Sequence, residues 1–224
     1  MATAERAEPT PPAPPAPPAP PVYPVALIVA GRRCLVVGGG PVAAEKAAGL
    51  LAAGAEVHVL ASEAGPEMRA LAGVTVEARD YRPGDAAGFR LVVAATGDPA
   101  VNRVVYEDAD GAGIWVNSAD DPGHCSVFLP AIVRRGLLTI AISTSGASPA
   151  FASWLRRRLE LEIGPEYEVL LSLLSETRAM MKESGRVPGA LDWQKALDSD
   201  MLELIRSGQI SQARERLQAC LSSL

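Results

Sequence analysis

The sequence predicts an α/β chain: a doubly wound parallel sheet followed by a dimerisation region and a small helical domain. Three observations carry this. The apolar run Cys34-Leu35-Val36-Val37 passes directly into Gly38-Gly39-Gly40-Pro41-Val42-Ala43 and then into an alanine-rich helical stretch. From Gly31 to Asn117 strand-like and helix-like segments alternate, which implies parallel strands joined by crossovers. Beyond Asn117 the alternation stops and leucines recur at helical spacing, as in Leu170, Leu173 and Leu174.

Residues 1–24 form the first unit, because Pro9–Pro24 repeat Pro-Pro-Ala, a composition that buries no core and favours extended polyproline II geometry. It reads as a disordered tail or linker. Strand Cys34–Val37 and helix Val42–Ala53 then flank a G-x-G-x-x-A turn. Gly38 permits the tight turn, Gly40 lets backbone approach a pyrophosphate, and Ala43 keeps helix and strand close, so the turn opens a Rossmann-type dinucleotide site. Strand Glu56–Leu60, a helical stretch at Pro66–Ala72, strands Val74–Ala78 and Leu91–Ala95, helix Pro99–Gly111 and strand Ile114–Val116 complete the sheet, giving a cofactor domain over residues 25–116. Ligands are expected at the carboxyl ends of its strands. Val127–Val133 and Leu137–Ser143 flank Arg134-Arg135-Gly136 and read as a hairpin. Ser148 and Pro149 are a helix start, and helix Ala150–Ile163 stops at Gly164-Pro165. Residues 117–163 are therefore an active-site loop and dimerisation region. Residues 164–224 are a small helical domain, broken near Gly185–Gly189 and at Gly208.

Composition excludes several classes of function. The chain has 224 residues, 48% hydrophobic and 21% charged, enough to bury a core. A net charge of -5 argues against a dedicated nucleic-acid binder. Cys34, Cys125 and Cys220 are widely spaced and form no C-x-x-C pair, so neither a disulfide framework nor a zinc cluster is expected and a cytoplasmic location fits. No basic-then-apolar leader and no apolar run near ~20 residues is present, so neither secretion nor membrane spanning is expected.

Two segments can carry chemistry. The second strand ends in Leu60-Ala61-Ser62-Glu63, where an acidic residue holds ribose hydroxyls in NAD-binding folds; no arginine stands there for a 2′-phosphate, so NAD is favoured over NADP. Asn117-Ser118-Ala119-Asp120-Asp121-Pro122-Gly123-His124-Cys125 follows the last core strand, where the nicotinamide belongs. Its carboxylates and imidazole suit proton transfer beside a hydride acceptor, although Asp-Asp-Pro-Gly is equally ordinary turn chemistry. His124 stands beside both carboxylates and Cys125 but matches no metal template, so no metal site is assigned; His58, inside a strand, reads as structural. Arg134, Arg135 and Arg156–Arg158 form basic clusters in an acidic chain and suit a polycarboxylate substrate, or are solvated surface.

Taken together, Val36–Lys46, Ala94-Ala95-Thr96-Gly97-Asp98, Asn117–Pro122 and Ser143-Thr144-Ser145-Gly146-Ala147-Ser148-Pro149 resemble the precorrin-2 dehydrogenase family of sirohaem synthesis, over about Tyr23 to Ile163. The resemblance implies NAD-dependent oxidation of precorrin-2 to sirohydrochlorin by a homodimer. Some members also insert ferrous iron, which makes a bifunctional dehydrogenase and ferrochelatase the nearest alternative. A non-catalytic NAD-sensing module is the alternative from a different class. By the same resemblance Asp120 falls on the catalytic base, and Pro41, Val42, Ser62 and Glu63 fall on NAD contacts, joined by Gly38, Gly40 and Thr96. Thr144 falls in the tetrapyrrole site, for which Asn117, His124 and Arg134 are further substrate-binding candidates. The methyltransferase domain of multifunctional relatives has no counterpart here, so uroporphyrinogen methylation is not expected.

Overall fold

A computed structural model describes residues 21–119, 121–185 and 193–222. Most of the Pro/Ala tail and Asp120 lie outside the described residues. Strand β1 (Arg33–Val37) enters the glycine turn, and helix α1 (Pro41–Ala52) leads to β2 (Glu56–Leu60). A short helix, α2 (Pro66–Arg69), precedes β3 (Val74–Glu77); an irregular connection then reaches β4 (Leu91–Ala94), and α3 (Pro99–Gly111) precedes β5 (Trp115–Ser118). All five strands are parallel, in the order β3-β2-β1-β4-β5. The order reverses between β1 and β4, which opens a crevice at their carboxyl ends.

Both faces of the sheet are covered, so the central strands are apolar on both sides. Cys34 and Val36 face α1 and α2, packing with Ala43, Ala47, Val59 and Met68. Leu35 and Val37 face the other way, with Val92, Val105, Ala109 and Val116. Ala43 and Ala47 are fully buried on α1, where their small side chains let the helix lie close to the sheet. Helix α3 starts at Asp98, whose carboxylate accepts from Ala100 N at 2.8 Å, and Pro99 follows at the first helical position.

Beyond the sheet, β6 (Ala131–Arg135) and β7 (Leu138–Ile142) form an antiparallel hairpin, followed by α4 (Pro149–Glu162) and α5 (Glu166–Glu183). Ser148 caps α4, its hydroxyl accepting from Phe151 N at 3.2 Å. Helices α6 (Trp193–Leu197), α7 (Met201–Arg206) and α8 (Ile210–Ser222) close a separate cluster with α5 around Leu170, Leu173, Met201, Ile205 and Leu217. Arg206 is tied to Glu166 at 2.7 Å across that cluster.

The boundaries depart from the sequence expectations where long-range bonds intervene. Strand β5 runs on to Ser118 because Asn117 and Ser118 pair with Val93 and Ala94, whereas Ile114 N still bonds Ala109 O at the end of α3. The hairpin starts at Ala131 rather than Val127, since Ser126 N and Val127 N both donate to Val116 O (2.9 and 3.1 Å) and tether that segment to β5. Arg134 and Arg135 belong to β6, and the chain turns at Gly136, whose φ is +54°. Helix α2 ends earlier than expected, because Leu71 N folds back to Met68 O.

The separation of the helical cluster from the two sheet cores yields a prediction. Leu217→Ala, at a fully buried position, should cost about 2–5 kcal/mol locally. Calorimetry should show the loss, while nicotinamide-nucleotide fluorescence titration should show cofactor affinity unchanged.

Candidate functional site

The crevice at the carboxyl ends of β1, β2 and β4 is a cleft of about 470 Å³. Its floor is the glycine turn, shaped by backbone contacts that exclude side chains. Gly38 has φ +125°, and a Cβ there would lie 2.3 Å from Ala95 O. A Cβ on Gly39 would lie 2.0 Å from Glu63 O, and Gly65 N donates to Gly39 O at 2.9 Å. Gly40 differs: a Cβ there would meet nothing within 4 Å, and the residue lines the cleft. Gly40 is also the N-cap of α1 and supplies no capping side chain, so the first N–H groups of the helix stay open to an anion. These features fit the diphosphate of a nicotinamide dinucleotide: room at Gly40, backbone donors, and the positive end of a helix.

Ser62 and Glu63 line the wall at the end of β2. Arg79, Asp80 and Tyr81 line it from just beyond β3 and were not anticipated. The expectation that no arginine stands near the ribose end is therefore corrected: the sequence segment after β2 contains none, but Arg79 reaches the same wall from the neighbouring strand. Its guanidinium is paired with Asp85 (Nη1–Oδ2 2.6 Å, Nη2–Oδ1 3.1 Å) and with Glu77 (Nε–Oε2 3.0 Å). That hydrogen bonding holds the Asp85 carboxyl below the usual carboxylate range. Tyr81 donates to Asp108 Oδ2, which also accepts from Gly84 N at 2.8 Å. Burial first, and Asp108 second, push the Tyr81 phenol above its ordinary value.

Thr96 lines the cleft from the end of β4 and is fixed by Asn102, a buried α3 residue that sequence reading missed. Asn102 Oδ1 accepts from Thr96 N (3.0 Å) and lies 2.7 Å from Thr96 Oγ1, while its Nδ2 donates to Thr96 O at 3.2 Å. Pro41 and Val42 are exposed on the first turn of α1 and do not line the cleft.

The candidate substrate residues fall into two groups. The loop after β5 folds back on that strand: Asn117 Nδ2 donates to Val127 O at 3.0 Å, and Cys125 Sγ accepts from Ser118 N at 3.2 Å. Burial raises the Cys125 thiol. The Asn117 amide is thus engaged with main chain. Ser118 Oγ is buried without a hydrogen-bond partner. His124 Nδ1 lies 2.7 Å from Asp121 Oδ2, and its ring meets Tyr106 edge-on at 5.1 Å. The loop after β7 comes to the same place, since a Cβ on Gly146 would lie 2.9 Å from Pro122 Cβ. There Ser145 adopts φ +52°, a strained value for a non-glycine residue. Thr144 Oγ1 accepts from Ser148 N at 3.1 Å. Arg134 stands apart on the exposed face of the hairpin, pairing with Thr139. Among the described residues no group of three or more metal-ligating side chains occurs, and no helix is long and apolar enough to cross a membrane.

Residues 25–131 match a family model described as NAD(P)-binding, and residues 135–161 match one described as sirohaem biosynthesis protein central. A siroheme synthase of Nitrosococcus oceani is 37% identical over 204 residues, covering 88% of this chain and 43% of that protein. One from Pseudomonas aeruginosa is 37% identical over 197 residues, covering 86% and 42%. This chain therefore spans less than half the length of those relatives. The solved structure of SirC, precorrin-2 dehydrogenase, superposes with a TM-score of 0.65 at 30% identity, covering 89% of this chain and 98% of that one.

The open space at Gly40 gives a clean test. Gly40→Ala should lower the melting temperature by no more than about 4 °C, since alanine is a poorer N-cap residue than glycine by roughly 0.5–1 kcal/mol. Its methyl group should nevertheless enter the cleft and weaken NADH binding on the order of tenfold, read by fluorescence titration.

Proposed function

Since this chain belongs to the precorrin-2 dehydrogenase family, we propose that it oxidises precorrin-2 to sirohydrochlorin with NAD as cofactor and Asp120 as base. The observation that carries the reading is the glycine-floored cleft at the sheet's switch point, with the β5 and β7 loops meeting beyond the same edge through Gly146 and Pro122. Bound NAD supplies the hydride acceptor. The chain does the rest: backbone N–H groups of Gly39, Gly40 and the first turn of α1 hold the diphosphate, while Gly38 N stays bonded to Leu60 O, and Ser62 and Glu63 bind ribose hydroxyls. The Thr96 backbone, locked by Asn102, forms the floor near the reacting end.

Oxidation removes a hydride and a proton from the reduced macrocycle, so one basic group must take the proton. Asp120 is assigned that role; in the sequence it stands between Ala119, whose N–H donates to Ala94 O at 2.8 Å, and Asp121, which is paired with His124. His124 and Thr144 line the substrate side, and Arg134 supplies a cation for peripheral carboxylates. Substrate positioning against the cofactor accounts for most of the acceleration. The homodimer expected from the sequence would cover the exposed Ile132 on the hairpin and Phe151 and Trp154 on α4.

The test is anaerobic incubation with precorrin-2 and NAD, following sirohydrochlorin absorption and NADH together; equal yields are expected. Asp120→Asn should lower kcat about 10²–10⁴-fold while NADH binding is retained. Near-normal turnover would remove Asp120 as base. Ferrous iron added afterwards should leave the product spectrum at the non-enzymatic rate for a dehydrogenase alone and accelerate the change for a bifunctional enzyme.

A further inference from the structure

The cleft wall holds a cation that none of these roles uses, the Arg79 guanidinium. In the β2–β3 register Leu60 pairs with Glu77, and Ala61 N donates to Glu77 O at 3.2 Å. Arg79, two residues later, thus stands on the wall with Ser62 and Glu63. An arginine at that place is the residue type that accommodates the 2′-phosphate of NADP. Here its donors are already committed. Nε faces Glu77 Oε2, Nη1 faces Asp85 Oδ2 and the Asp80 carbonyl, and Nη2 faces Asp85 Oδ1, so four of the five N–H groups are used. Asp85 is itself fixed, its Oδ2 accepting from Arg82 N at 2.8 Å. Three further carboxylates, Glu63, Asp80 and Asp98, line the same cleft, the first two on this wall and Asp98 beside Thr96.

We infer that Asp85 sets the choice of cofactor: by occupying Arg79 it leaves a 2′-phosphate no counter-charge, so the cleft accepts NAD(H) and refuses NADP(H). The inference rests on the nicotinamide-cofactor reading above and deepens it. A phosphate dianion entering this wall would have to displace Asp85 or Glu77 from the guanidinium and lie beside Glu63 and Asp80. A ribose diol needs only acceptors, which those carboxylates are.

Binding of NADH and NADPH, each followed by nicotinamide fluorescence, tests this in the parent protein, Asp85→Asn, Glu77→Gln and the double variant Arg79→Gln/Asp85→Asn, with melting curves for each. The parent should bind NADH more tightly than NADPH. Asp85→Asn should strengthen NADPH binding about tenfold and leave NADH within about twofold; the gain should vanish in the double variant and shrink at high salt. Glu77→Gln, at an exposed position outside the Arg82 turn, should move the ratio in the same direction by less, and serves if Asp85→Asn does not fold. Unchanged ratios in properly folded variants, or a parent that prefers NADPH, would overturn the inference. The assay contains no precorrin-2. A shifted ratio without precorrin-2 turnover would therefore sink the proposed reaction alone, and normal NAD-dependent turnover with no shift would sink the inference alone.

Discussion

The carboxyl edge of the sheet is organised by two glycines that let three backbone segments touch. Gly38 lies so close to Ala95, and Gly39 so close to Glu63, that a single methyl group on either would overlap main-chain atoms. Main chain cannot yield as the far end of a flexible side chain can. The contacts therefore fix the ends of β1, β2 and β4 against one another. The bonds Gly38 N to Leu60 O, Ala95 N to Val37 O and Gly65 N to Gly39 O then hold that arrangement at 2.8–2.9 Å. Ser62, Glu63 and Thr96 stand where they do because their backbones are parts of this junction. Of the three turn glycines it is Gly40 that has no close neighbour, and its freedom is what leaves room for a ligand.

Polar side chains with no direct part in the chemistry maintain the rest of the edge. Asn102 satisfies both the N–H and the C=O of Thr96 from inside α3, where a buried amide without partners would be costly. Asn117 does the same for the loop after β5 by capturing Val127 O, and Cys125 accepts the Ser118 N–H. The β3–β4 connection has no regular structure, yet it is held at two points: Arg79 to Asp85 at its start and Tyr81 to Asp108 on α3. The cleft wall is thus built by an irregular segment tied to regular ones. Its fractional exposure limits the energetic worth of each ion pair, but the pairs still decide which donors a ligand can find.

Much of the fold was legible in local pattern. Val36 and Val37 alternate between two cores because successive strand residues face opposite sides of the sheet. Pro41, Pro99 and Pro149 mark helix starts because proline fits the first helical turn. Of the candidate cofactor residues, Gly38, Gly40, Ser62, Glu63 and Thr96 line one cleft, whereas Pro41 and Val42 sit on its exposed approach. Gly39 carries no role in the G-x-G-x-x-A pattern, yet it is more sterically confined than Gly38; no local rule reports that Glu63 O will lie against it. Arg79 escaped notice for a related reason, since its sequence neighbours resemble an ordinary polar loop.

By itself the sequence determined strand and helix types, the position of the glycine turn and the change to a helical C-terminal region, because these follow from periodicity and backbone preference within a few residues. Only the tertiary structure decided which distant residues share a wall. Arg79 joins Ser62 and Glu63 through the β2–β3 register, Asn102 reaches Thr96 through the packing of α3, and Gly146 meets Pro122 through the return of the hairpin. Strand pairing and helix docking set those meetings, and they depend on the whole sheet closing at once rather than on any segment's own preference.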